Sequence, residues 1–185
     1  MRGILIGLSL ALVLLGVAPG RADPAADELL DIFAGLCFGR FPDETAVRQY
    51  ASEKGLAVMP AEQLRHLLGT DPGEGWLQNA AQGQYLVTIE MPPYHACAIR
   101  KPVSTSPDIV PAFSRVLGAW AAKQPGTSLK EDPPQTVNID GLPSQAYVWN
   151  LERGAGEQVE ALMLIVTKVS DLGTEVRLVR SIGNR

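Results

Sequence analysis

The 185-residue chain is 46% hydrophobic and 19% charged, which is typical of a single globular domain with an ordinary apolar core. Its 16 basic and 20 acidic side chains give a formal net charge of −4. This acidic balance argues against nucleic acid and against anionic membrane surfaces as partners, because both attract basic proteins.

The first 22 residues have the order of a cleavable secretory signal peptide. Arg2 precedes an uncharged apolar run that breaks at Pro19, so the run is shorter than the roughly 20 apolar residues that span a bilayer. We predict cleavage after Ala22. The mature protein would then be one periplasmic or secreted domain, residues 23–185, with no stable membrane anchor.

The two cysteines are interpreted in the light of export. Thiols in an oxidising compartment usually pair, so Cys37 and Cys97 are predicted to form a disulfide. Their separation of 60 residues differs from the C-x-x-C spacing of redox motifs. The competing hypotheses are a redox pair, a metal thiolate, or a nucleophilic Cys97 that uses His95 as its base.

Three helices are predicted before any strand. The first begins at Asp23, which can cap the helix ahead of a proline, and ends at Gly39. The second is capped by Asp43 and runs to Lys54, and the third spans 60–69. The apolar residues of the first helix recur at helical spacing, which predicts one buried face: Leu29, Ile32, Phe33, Leu36 and Cys37.

A β-hairpin is predicted after these helices. Residues 70–75 are dense in turn formers and predict a loop. Apolar and polar side chains then alternate over 85–91, Pro92 and Pro93 break the pattern, and 95–100 supplies the return strand.

One long helix follows the hairpin, over 108–123. Asp108 is its predicted N-cap, and apolar side chains mark one face of it. A polar, proline-bearing loop is expected from the end of this helix to Gln135. The apolar stripe of the helix comprises Val110, Phe113, Leu117, Trp120 and Ala121.

The rest of the chain predicts a four-stranded antiparallel meander, and the fold class is therefore α+β. The run 161–166 lacks polar alternation, so it should be a central strand covered on both faces. Helix 108–123 would cover one face and the amino-terminal helices the other. The four predicted strands are 137–139, 145–151, 157–168 and 174–182.

Motifs that identify an enzyme are missing from the sequence. There is no G-x-S-x-G, H-E-x-x-H, P-loop or dinucleotide-type glycine motif, and His66 and His95 are the only histidines. His66 is interpreted as a surface residue. The acids Asp71 and Glu74 are too few for a calcium loop and favour a solvated turn.

Three functional hypotheses stay open. The leading one is a non-enzymatic binding module that holds an unknown protein or small ligand of the cell envelope, through its sheet or a helix–sheet groove, with no cofactor. The alternative is an envelope hydrolase that combines carboxylates with His95. A weaker alternative is soft-metal binding by Met91, His95 and Cys97, which requires a reduced cysteine.

The arrangement resembles a loose group of small, exported, two-cysteine bacterial proteins of proteobacterial-like type and unassigned function. The likeness rests on Leu36-Cys37, on Phe41-Pro42-Asp43 and on a second cysteine in a strand at Cys97. It covers about the first half of the mature chain. The resemblance brings no activity, cofactor or catalytic residue.

Overall fold

The computed structural model of the chain describes residues 23–104, 109–139, 141–153, 158–170 and 173–184. The predicted signal peptide and Asp108 lie outside these ranges. Within them the chain forms four α-helices and one nine-stranded antiparallel sheet, which confirms the α+β class.

The amino-terminal helices begin where the sequence predicts them. The Asp23 carboxylate accepts a hydrogen bond from the Ala25 amide at 2.9 Å, and the Asp43 carboxylate accepts one from the Ala46 amide at 3.1 Å. Both side chains therefore act as N-caps. The helices are α1 (Pro24–Phe33), which continues as a π-helical turn (Ala34–Phe38), α2 (Glu44–Glu53), α3 (Ala61–Leu68) and α4 (Val110–Ala121).

The strands are joined in a single sheet. They are β1 (Ala57–Val58), β2 (Gly73–Ala80), β3 (Gly83–Glu90), β4 (Ala96–Ser104), β5 (Thr127–Glu131), β6 (Gln135–Ile139), β7 (Leu142–Arg153), β8 (Gln158–Ser170) and β9 (Gly173–Asn184). Their order across the sheet is β1-β2-β3-β4-β9-β8-β7-β5. Strands β5 and β6 lie along the same edge of β7, where β5 pairs with residues 149–153 and β6 pairs with residues 142–146.

The predicted hairpin and meander both form, but the sheet is larger than predicted. The prediction of three helices before any strand is wrong, because β1 lies between α2 and α3. Strands β6 to β9 are the expected four-stranded meander, and β4 joins it to the hairpin by pairing with β9. The prediction of a loop over 70–75 is wrong for its second half, where β2 begins. The loop expected before Gln135 is also wrong, because it contains β5.

The predicted division of the helices between the two faces is wrong, because α1, α2 and α4 all pack against the same face. Phe113 of α4 contacts Phe33 of α1, with ring centroids 5.6 Å apart, and contacts Trp149 of β7 at 5.3 Å. The bulky apolar side chains of the strands point to this face, which therefore has the most area to bury. Strand residues of this core include Val87, Ile99, Trp149, Leu162, Leu164 and Leu178.

Helix α3 is the exception and lies on the opposite face. It packs over two glycines of β2, and a Cβ atom built on Gly75 would come within 2.8 Å of the Leu64 side chain. Glycine permits this close approach of helix and sheet. The opposite face is thus covered at β2, while no helix of the described ranges packs on it over β4, β9 and β8.

Candidate functional site

The uncovered face of β4, β9 and β8 forms a shallow groove of about 360 Å³, which we call the sheet groove. Its position follows from strand periodicity. Cys97 and Ile99 face the helices, so the alternate positions of β4 face the groove. The apolar floor is formed by Ala96, Ala98, Met163, Ile165 and Val179.

The register of the sheet aligns this floor in rows. Ala98 lies opposite Val179, and Val179 lies opposite Met163, so three neighbouring strands contribute one apolar side chain each. Ala96 and Ala98 are small, and their size leaves room above the sheet. The groove is therefore a consequence of side-chain volume as well as of helix placement.

Two arginines stand opposite each other at one end of the floor. Arg100 of β4 is paired with Arg177 of β9 in the ladder. Arg100 is only 6% exposed, and its Nη2 donates to the Leu67 carbonyl of α3 at 3.3 Å. Arg177 donates to the Glu175 carboxylate at 2.9 Å, with 15% of its side chain exposed.

A carboxylate and a tyrosine stand at the other end. Glu90 of β3 is paired with Ala96 in the ladder. Burial raises the pKa of the Glu90 carboxyl above its ordinary value of 4.5, and so does repulsion by Asp71, while the two arginines of the groove act to lower it. Tyr94 is 58% exposed and lines the groove from the turn between β3 and β4.

The predicted disulfide is present on the other side of the sheet. Cys37 in the π-helical turn and Cys97 in β4 are bonded, with their Cα atoms 5.6 Å apart and both side chains fully buried. The bond joins the first helical segment to the hairpin, as predicted. Because the Cys97 sulfur is in this bond, it is not available as the thiolate that the soft-metal and nucleophile hypotheses require.

His95 does not belong to the sheet groove. Its ring packs edge-on against Phe41, with centroids 4.8 Å apart, and its backbone has a φ of 38° in the left-handed region. Within the described residues, the imidazole makes no hydrogen bond or ion pair with a carboxylate, and no three His, Cys, Asp or Glu side chains are close enough to hold a metal ion.

The other residues considered as candidates from the sequence lie outside the sheet groove. His66 is exposed on α3. Glu74 lies in β2 and pairs with Arg48 at 2.6 Å, so the prediction of a solvated turn is wrong at this residue. Trp149 and Leu151 are buried in the core.

A buried ion pair lies on the face of the sheet that the helices cover, and the groups that it binds belong to the core of the protein. Arg180 of β9 pairs with Glu160 of β8 and donates to the carbonyls of Cys37 and Phe41 at 2.6 and 2.8 Å. Its guanidinium lies 5.0 Å from the ring centroid of Trp120. These contacts tie the end of the π-helical turn to the sheet, so we assign the pair a structural role.

A second apolar groove, of about 380 Å³, lies between the π-helical turn and α4. Phe38 and Trp120 stack in its floor with centroids 4.3 Å apart, and Ala119 lines it. Lys123 is the charged residue of its lining. It is therefore a second apolar groove of similar size to the sheet groove.

The charged residues of the sheet groove escaped the sequence analysis. The signal was the alternation Ala96-x-Ala98-x-Arg100, which puts two small residues and one cation on the same strand face. Arg177 and Val179 repeat the pattern on β9. Recognising the groove also required the pairing of β4 with β9, and nothing in the sequence indicates that these distant segments are neighbours.

No protein-family model matches the chain, and no curated protein matches it. In the described ranges, none of the helices has the length and apolar composition needed to cross a bilayer.

Proposed function

We propose that the protein is an exported, non-enzymatic binding protein of the cell envelope and that the sheet groove is its ligand site. The observation that carries this proposal is the helix-free face of β4, β9 and β8, where an apolar floor ends at two largely buried arginines. Ligand sites typically combine apolar walls with a few convergent polar groups, at volumes of roughly 300–1,000 Å³.

Export is supported by the first 22 residues together with the disulfide. Disulfides persist in the periplasm and outside the cell, and they are rare in the cytosol. The resemblance to small exported two-cysteine proteins points to the same compartment. Mass spectrometry of the protein recovered from the envelope fraction should find Asp23 as the first residue and no free thiol, whereas a chain that keeps residues 1–22 would contradict export by cleavage.

The groove is suited to holding a molecule rather than to transforming it. Its floor carries alanine, valine, isoleucine and methionine, which supply contact area. Its arginines are held by the Leu67 carbonyl and the Glu175 carboxylate, so they are fixed in position before a ligand arrives. Such preorganisation favours affinity, because less side-chain entropy is lost on binding.

Filling the groove tests the proposal. The probe is Nile red, a neutral dye whose emission rises in apolar sites. We expect the mature protein to bind it saturably and Ala98→Trp to abolish binding, because the indole would occupy the floor. Ser181→Trp, at a partly exposed position of the same groove, should weaken binding too and serves if Ala98→Trp does not fold.

The matched control makes the same substitution in the other apolar groove. Ala119→Trp, at an exposed position between the π-helical turn and α4, should leave Nile red binding unchanged. If Ala119→Trp abolishes binding while the two sheet-groove variants keep it, the ligand site is the helical groove and the proposal is wrong. Circular dichroism checks that each variant is folded.

A further inference from the structure

We propose that the protein forms a symmetric dimer through its helical face, in which the helical seam of one copy lies antiparallel on the same seam of a second copy. This inference goes beyond the proposed function, because it concerns the face of the sheet opposite the sheet groove. The helical seam is the line along which the first helical segment meets α4, and it comprises Asp31, Ala34, Phe38, Val116, Ala119 and Lys123.

The two helical segments of the seam run side by side in the same direction. Phe33 contacts Phe113 with ring centroids 5.6 Å apart, and further along both segments Phe38 stacks on Trp120 at 4.3 Å. The apolar groove of the seam is lined by residues of the same two stretches. Its middle therefore lies near position 36 of the first segment and near position 117 of α4.

An acid and a base lie on the seam, on opposite sides of this middle. Asp31 is exposed and shares a helical face with Ala34 and Phe38, which line the groove. Lys123 is exposed just after the end of α4 and also lines the groove. Asp31 comes five residues before position 36 and Lys123 comes six after position 117, or roughly 8 and 9 Å from the middle at 1.5 Å per residue.

These equal spacings make the seam complementary to itself. A twofold axis that crosses the seam at the middle of the groove turns the second copy end for end. The apolar grooves of the two copies then meet at the axis, and Asp31 of each copy lies over Lys123 of the other. The same patch on both subunits forms the contact, as in most dimers with twofold symmetry.

The charges of the seam lack such partners within one copy. In the described part of the chain, neither Asp31 nor Lys123 makes an ion pair. Asp27 is also exposed and lies one helical turn before Asp31, where two like charges destabilise a helix. A lysine from a second copy would offset this repulsion, so charge complementarity favours a second copy as the occupant of the seam.

We expect the dimer to be weak. Arg115 is exposed on the outer surface of α4 and lies only two residues before the level of the axis, so the two copies bring this charge close to itself. A contact made by two helices from each copy is also at the small end of the range for specific interfaces. Dimers should therefore form at protein concentrations of about 100 µM, as in transient complexes.

Sedimentation equilibrium of the disulfide-bonded protein, from about 10 µM to about 1 mM, tests the inference. We expect a monomer–dimer equilibrium for the wild type. Asp31→Lys and Lys123→Glu should each weaken dimerisation by about tenfold or more, because each places like charges opposite one another twice in the dimer. The matched control is Lys130→Glu, at an exposed position of β5, which should leave the equilibrium unchanged.

An equimolar mixture of the two weakened variants is the most specific measurement. In a mixed dimer, the lysine introduced by Asp31→Lys faces the glutamate introduced by Lys123→Glu, and the native Asp31 and Lys123 face each other. Both contacts are attractive, so the mixture should dimerise to within about threefold of the wild type. Circular dichroism checks that each variant is folded.

Three results would overturn the inference. They are a wild type that stays monomeric over the whole concentration range, a dimer that both charge reversals leave intact, and a mixture that does not recover dimerisation. None of them bears on the sheet groove, because Asp31 and Lys123 lie on the helical face and both variants should still bind Nile red. The proposed function is therefore decided separately by the Nile red experiment.

Discussion

Arg180 and Glu160 illustrate, at the scale of single residues, why a buried charge must be paired. Their side chains are 7% and 5% exposed, and Arg180 also satisfies the carbonyls of Cys37 and Phe41. Removing one partner of such a pair leaves a desolvated charge and typically costs about 3–5 kcal/mol. We therefore expect Glu160→Gln to lower the free energy of unfolding in urea by that amount.

The control for this prediction is Glu44→Gln. Glu44 pairs with Arg48 on the surface of α2, with 30% and 43% of the side chains exposed, and solvent screens such pairs. The urea unfolding midpoint of Glu44→Gln should stay close to that of the wild type. A Glu160→Gln variant as stable as Glu44→Gln would contradict the structural role of the buried pair.

Glu90 predicts a pH dependence of stability. Its pKa is raised in the folded protein, first by burial and then by Asp71, against the opposing effect of Arg100 and Arg177. The folded state therefore holds the proton more tightly than the unfolded state, and ionised Glu90 destabilises the fold above its folded pKa. This destabilisation disappears as the pH falls through the folded pKa toward the ordinary value of 4.5.

Substitution of Glu90 isolates this effect. Urea unfolding should find Glu90→Gln more stable than the wild type at pH 7, with a difference that vanishes near pH 4.5. Glu62→Gln, on the exposed surface of α3, should show no such pH-dependent gain. A gain for Glu90→Gln that grows on acidification would have the wrong sign and would contradict the raised pKa.

Residue-level prediction succeeded where chemistry alone decided the outcome. The predicted signal peptide implies an oxidising compartment, so the Cys37–Cys97 bond could be predicted without knowing the fold. The pairing of Arg180 with Glu160 could not, because it depends on the register of β8 against β9, which the predicted meander does not specify. The same reason applies to Arg100 and Arg177, which become a site only through the β4–β9 register.

At the scale of elements, the main error concerns β2, and it has a clear cause. Gly73 and Gly75 belong to a stretch that reads as a turn, yet both lie in the strand beneath α3. Glycine serves turns by its backbone freedom and serves strands where another segment must approach closely. The sequence pattern alone does not distinguish these two uses.

The close packing around Gly73 of β2, against both β3 and α3, can be tested by adding one methyl group. A Cβ atom at Gly73 would clash with the Ile89 carbonyl and the Leu68 side chain. We expect Gly73→Ala to destabilise the protein by about 1–3 kcal/mol, the usual range for overpacking. Thermal unfolding followed by circular dichroism measures the effect.

Gly118→Ala is the matched control for that substitution. Gly118 lies in α4, and a Cβ atom there would meet nothing within 4 Å. Alanine should therefore stabilise the helix by about 0.5–1 kcal/mol, because glycine is a poor helix former. If Gly73→Ala is as stable as the wild type or more stable, the packing around Gly73 is not as described.

At the scale of the whole molecule, the disulfide joins segments that are distant in sequence. It closes a loop of 60 residues between the π-helical turn and β4. In the chain-entropy description, such a bond contributes about 4 kcal/mol by restricting the unfolded state. The double variant Cys37→Ala with Cys97→Ala should lose stability of that order in urea unfolding, whereas an unchanged midpoint would contradict the contribution of the bond.

The number and order of most elements could be predicted, but their arrangement in space could not. Periodicity locates a helix or strand, and it also predicts which side chains share a face. It does not indicate which face a helix will cover, so α1 and α4 were assigned to opposite sides when they share one. The sheet groove exists because of that arrangement, and it was therefore the least predictable feature of the molecule.

The central claim is that this helix-free face is the binding site, and an amide chemical-shift map of the protein titrated with Nile red tests it most directly. We predict saturable shifts that are largest at Ala96, Ala98 and Val179. Saturable shifts that are largest around Phe38 and Trp120, or no saturable shift anywhere on the protein, would contradict the claim.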